Sequence, residues 1–159
     1  MLTLFKMSSL EKRIHEFYRE KGFIHPCEIT LHAFNDWVNV ETIYRRGETN
    51  NVELHHKFKI FIDPGKSLPE RRIEMAHEIA HIVLHSGNQV HMSYLMRSKQ
   101  EWQANRFAMY ALIPSLMLIE EIGTNEVDRA FTEELAFIFG VTCKFISERL
   151  KMLKEDMNL

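Results

Sequence analysis

At 159 residues and 18.9 kDa the chain has the length of one ordinary domain with room for a small extension. Its 45% apolar and 11% aromatic content lets it bury a sizeable core and excludes a disordered chain. Twenty Lys and Arg against 22 Asp and Glu leave a net charge of −2, so nothing chain-wide draws it to nucleic acid or to an anionic membrane. Cys27 and Cys143 are too far apart to make a close metal-ligand pair, and two thiols in such a chain read as a reduced, cytoplasmic protein. The opening residues lack the apolar stretch of a secretory signal, and the longest nearly apolar run, Tyr110 to Ile119, is too short to span a membrane.

In chain order, Ser8 followed by Glu11 reads as the capping box of a first helix, which Gly22 ends. Pro26 and Glu28 suit the first turn of a second short helix ending near Asn35. Two β-rich segments follow, Val38–Tyr44 and Glu53–Ile62, with Gly47-Glu-Thr-Asn-Asn between them as a hairpin connection. Leu54, Phe58, Ile60 and Ile62 share one face of the second, which stops at Asp63-Pro-Gly. An added extended strand is expected to pair along the edge this segment offers. His55-His56 within it cannot chelate one ion together, because strand neighbours point to opposite faces. Leu68 to His85 reads as one long helix halted by Ser86-Gly87-Asn88, Gln89 to Met96 as loop, and Ser98 to Leu112 as a helix broken at Ile113-Pro114. Two or three more helices complete the chain. Strands early and helices late make an α+β protein, expected to divide into residues 1–115 and a helical extension, 116–159.

The chemistry concentrates in His77-Glu78-Ile79-Ala80-His81, an H-E-x-x-H sequence inside the long helix. Histidines at i and i+4 project from one face one turn apart, so both imidazoles can meet a single Zn²⁺. Glu78 lies about 100° around the helix from His77, placed to take a proton from a water on the metal without ligating it. Three fixed positions recur by chance, but helical phase adds weight. Glu74, Glu78, His81 and His85 fall on the His77 side, and Met75, Ala76, Ile79, Ala80, Ile82 and Val83 fill the rest, as on a buried helix. A third ligand is needed, with His85, His91 and Glu101 as the candidates. His85, one turn beyond His81, suits a supporting role at the helix end. His91 stands in the loop. Glu101 shares a helical face with Asn105, Ala108 and Leu112, and Asn105 is placed to accept a hydrogen bond from His77 or His81 and fix its tautomer. Against this, Glu101 follows Ser98 by three residues, as in a capping box.

These residues resemble the ImmA/IrrE metallo-endopeptidases. The likeness runs through Arg71 to His85, Glu101-Trp-Gln-Ala-Asn-Arg-Phe-Ala108 and Leu112-Ile-Pro114, and extends over most of the chain. It implies a zincin-like fold with a small N-terminal sheet, His77, His81 and Glu101 as zinc ligands and Glu78 as the catalytic base. It further implies cleavage of a helix-turn-helix repressor of a prophage or mobile element. Ala80 stands where that family usually has Gly.

Thr132 to Leu150 looks like a helix-turn-helix, with Gly140 in the turn and Thr142 as the cap of its second helix. From residue 132 onward Lys144, Arg149, Lys151 and Lys154 are outnumbered by Glu133, Glu134, Glu148, Glu155 and Asp156. Direct DNA binding is therefore not expected, and a packing or repressor-contact module is. The alternative function is a non-catalytic regulator that binds a repressor or DNA through these helices. The nine methionines are scattered and read as core filler.

Overall fold

The computed structural model describes residues 7–30, 33, 38–85 and 92–157. Six α-helices and a three-stranded sheet lie among them, an α+β protein as the sequence implies. The chain forms two compact units, one of residues 30–108 and the other of residues 1–29 with 109–159.

In the first unit the sheet holds β1 (Val40–Tyr44), β2 (Asn50–Leu54) and β3 (Lys57–Ile62) in the order β1-β3-β2. β1 runs parallel to β3 and β2 antiparallel to it. The hairpin differs from the one expected. It closes at His55-His56, where φ is 50° and 60°, the two successive positive values that a two-residue primed turn requires. His55 and His56 are therefore turn residues, and Asn50 and Asn51 are strand residues. The turn also resets the alternation. Asn51 pairs with Ile60 and Leu54 with Lys57, so exposed Leu54 shares the outer face with Lys57, opposite to Ile60 and Ile62. β3 is paired on both sides and offers no free edge to an added strand, which removes that role from Lys57–Ile62. On the outer face Lys59 pairs with Glu41 at 3.1 Å and the Arg45 guanidinium covers the Phe61 ring at 4.3 Å.

α2 (Leu68–Leu84) packs across β2 and β3. Ser67 caps it and Glu70 closes a capping box by accepting from Ser67 N at 2.8 Å, with Pro in the first turn. Met75, Ala76, Ile79 and Ala80 are its buried apolar residues. Its predicted stop at Ser86-Gly87-Asn88 lies outside the described residues. α3 (Tyr94–Leu112) begins four residues before the expected Ser98, and Ser93 Oγ accepts from Met96 N at 3.3 Å. Ser98 is thus inside the helix and caps nothing.

The second unit is helical. α1 (Ser9–Lys21) is capped by Ser8, whose Oγ accepts from Glu11 N at 3.2 Å, and ends on left-handed Gly22. Only half of the expected capping box forms, because the Glu11 carboxylate is buried and accepts from Ser115 instead. Pro26–Glu28 is one 3₁₀ turn, fastened by Glu28, which accepts from Ile24 N and His25 N at 2.7 Å each. Residues 34–37, at the expected end of that second helix, lie outside the described ones. α4 (Ser115–Ile122), α5 (Arg129–Phe139) and α6 (Cys143–Asp156) follow Pro114. Gly140 at φ 62° and the Thr142 cap join α5 to α6. α6 buries Phe145, Ile146, Arg149, Leu150, Met152 and Leu153, so one of the four tail bases is withdrawn from the surface. No helix of the described residues is long and apolar enough to cross a membrane.

Candidate metal centre

α2 presents His77 and His81 one turn apart with ring centroids 4.7 Å from each other. Their Nε2 atoms are 3.0 Å apart, and α3 brings in Glu101, with one oxygen 3.2 Å from His77 Nε2 and the other 3.3 Å from His81 Nε2. Among the described residues this is the group of ligand-bearing side chains that could hold a metal ion. Nitrogen and oxygen ligands at about 2.0–2.2 Å from a tetrahedral Zn²⁺ stand about 3.3–3.6 Å from one another. The observed separations, 3.0–3.3 Å, reach the lower end of that range or fall just short of it. Two imidazoles and one carboxylate also form a donor set that suits zinc and leaves a fourth position for water.

The surroundings favour the ligating forms. His77 Nδ1 lies 2.9 Å from Asn105 Oδ1, one turn beyond Glu101 on α3. With the amide oxygen accepting, the proton sits on Nδ1 and Nε2 turns its lone pair to the centre. Burial first, and then the neighbouring His77, hold the His81 imidazole below its ordinary pKa, toward the neutral form that binds metal. His85 packs its ring 5.6 Å from that of His81, tilted by 52°, as the residue that ends α2. Neither His81 Nδ1 nor His85 Nε2 has a hydrogen-bond partner among the described residues. His91 lies outside them.

Glu78 stands next to the centre without joining it. Its Oε2 accepts from Asn51 Nδ2 of β2 at 2.5 Å. Burial raises its carboxyl above the ordinary range, with the Asn51 amide and His77 pulling the other way. One turn earlier, Glu74 accepts from Thr49 Oγ1 and from Lys66 Nζ. Asn51, Thr49 and Lys66 carry no local sequence signal for such a role. Gly47-Glu-Thr-Asn-Asn has turn composition, and only the pairing with β3 reveals what its last residue faces.

The model of the IrrE N-terminal-like domain, a peptidase family designated M78, matches residues 36–151. The phage-like element PBSX protein XkdA of Bacillus subtilis (strain 168) is 26% identical over 148 residues, 93% of this chain and 74% of that protein. The uncharacterized protein YqaB of the same organism is 26% identical over 147 residues, 91% of this chain and 84% of its own length. A solved Mycobacterium tuberculosis transcriptional regulator shares the fold at a TM-score of 0.65 and 14% identity over 91% of this chain, which spans 46% of that regulator. The family match extends over most of the chain and includes both α2 and α3, so the protein belongs to the IrrE N-terminal-like family of metallopeptidase-type domains, the ImmA/IrrE family.

Proposed function

We propose that the chain is a zinc-dependent endopeptidase with a zincin-like core, cutting one protein partner, a helix-turn-helix repressor of a prophage or mobile element. One observation carries this reading: three ligand atoms converge while a second acidic residue, Glu78, is held beside them and outside the ligand set. A structural zinc site has no use for such a carboxylate. Residues His77, His81 and Glu101 would hold Zn²⁺, with Asn105 and His85 supporting the two histidines. Bound there, zinc supplies Lewis acidity toward a peptide carbonyl and lowers the pKa of a water. Glu78 takes the proton of that water as it attacks and delivers it to the leaving nitrogen.

The substrate class is favoured by the phage-element name of the relative XkdA. Such a partner sets the reaction in the cytoplasm. In this reading residues 1–115 carry hydrolysis and 116–159 form a packing or repressor-contact extension. The burial of Arg149 in α6 speaks against a basic DNA-reading helix. The test is zinc stoichiometry of the purified chain, together with incubation of parent and Glu78→Gln proteins with a helix-turn-helix repressor of the element that carries it. One zinc per chain in both and repressor fragments from the parent alone are the expected result. Cleavage by Glu78→Gln at the parent rate overturns the mechanism, and zinc-loaded parent that releases no fragment overturns the function.

A further inference from the structure

We propose that Asn51 is a positioning residue for the general base: its side-chain amide holds one oxygen of Glu78 and leaves the other to receive the proton of the attacking water. The inference rests on the proteolytic reading above. An amide NH₂ is only a donor, so at 2.5 Å from Nδ2 the Glu78 Oε2 is the acceptor of a charge-assisted hydrogen bond. A glutamate has three side-chain torsions, and a base that samples them is out of place most of the time. Fixing the carboxylate before substrate arrives removes that search from the chemical step.

The strand is built to aim Asn51. Its register partner is Ile60, whose side chain is fully buried on the face that packs against α2. A slip by one residue would turn Asn51 to the outer face and bring Val52 inward. The approach to the strand is fastened to the same helix one turn away, where Thr49 Oγ1 donates to Glu74. Residues 74 and 78 of α2 are successive neighbours on one helical face. Two carboxylates on that face are thus bound from the β2 side, and only the second one borders the metal ligands. The first fixes the strand; the second fixes the base.

The test uses the zinc-loaded full chain with the repressor it cleaves as probe. Asn51→Ala is expected to lower kcat about 10- to 100-fold, less than loss of the base itself, with KM and zinc stoichiometry unchanged. Asn51→Leu, close in volume but without a donor, should match Asn51→Ala; Val52→Ala, on the opposite face of the strand, should keep the parent kcat. Without any substrate, the Asn51 side-chain amide signals in a ¹H–¹⁵N spectrum should move in Glu78→Ala. Parent-like kcat in both Asn51 variants, an equal loss in Val52→Ala or unmoved amide signals would each overturn the proposal. Failure of the reading beneath it looks different, since the parent itself then releases no fragment.

Discussion

The two compact units each hold a polar cluster, and the clusters are balanced in opposite ways. In the helical unit Arg149 is fully buried and donates to Ile113 O at 3.1 Å and to Ser115 Oγ. Ser115 donates onward to Glu11, whose carboxylate lies 3.6 Å from the guanidinium. A positive charge meets a negative one, so the cluster is closed in charge. In the sheet-bearing unit the His77 and His81 imidazoles and the Glu101 carboxylate turn toward one another within 3.3 Å. In the proposed function both Nε2 atoms and the carboxylate are acceptors, and a cation at their centre would supply what is lacking. Burial alone does not separate a structural cluster from a working site. The sign of what remains unbalanced does.

The largest expected effect breaks that contrast from the metal side. His77→Ala, His81→Ala and Glu101→Ala should each weaken zinc binding by more than the roughly 10–100-fold that loss of an outer partner costs. Asn105→Ala should fall within that range, because it frees the His77 tautomer but leaves every ligand in place, and His85→Ala should fall below it. Competition with a chelating dye measures all five. Glu101→Ala with parent affinity would remove α3 from the centre and with it the proposed function.

What was legible in the sequence follows the range of the interactions involved. The spacing of His77, Glu78 and His81 is a property of one helix, so phase alone sets which side they share. Glu101 and Asn105 could be paired with them because a second helix carries its own phase. The hairpin at His55-His56 was not legible, since neither residue is the Gly or Asn that marks a primed turn. Reading that segment as one strand put Leu54 on the wrong face and made an edge of β3. Glu11 was legible only as a cap. Its partners Ser115 and Arg149 lie 104 and 138 positions away, and no local pattern connects them.

The closed cluster should break differently. Arg149→Ala leaves Glu11 buried beside no cation and should cost about 3–5 kcal/mol of unfolding free energy, whereas an apolar replacement of both partners should recover most of it. Urea unfolding of the single and double variants decides this, and equal losses in the two would mean that the pair itself stabilises the unit. A smaller effect concerns pH. Burial, outweighing the Ser115 hydrogen bond and Arg149, holds the Glu11 carboxyl above its ordinary 4.5. The folded state then binds this proton more tightly than the unfolded chain does. The resulting stabilisation is complete below pH 4.5 and is lost as pH rises through the raised native value. Relative to Glu11→Gln, which cannot titrate, the parent should therefore lose stability on going from pH 4.5 to 8. A difference that stays constant with pH would show that this carboxyl is not perturbed.

The smallest expected effect lies in the metal helix itself. Ala80 is fully buried between Ile79 and His81, at the position where the family resemblance leads one to expect Gly. Within a helix Gly costs about 0.5–1 kcal/mol relative to Ala in backbone entropy, and a lost buried methyl adds about 0.8 kcal/mol. Ala80→Gly should therefore lower stability by about 1–2 kcal/mol while the ligands keep their spacing and zinc affinity stays at the parent value. Hydrogen exchange locates the change: amides of residues 68–84 should exchange faster in Ala80→Gly, and those of α1 and α6 faster in Arg149→Ala. If each variant loosens only its own unit, the two clusters are energetically separate. If Ala80→Gly loosens α6 as well, the units unfold together and the contrast between them is one of chemistry alone.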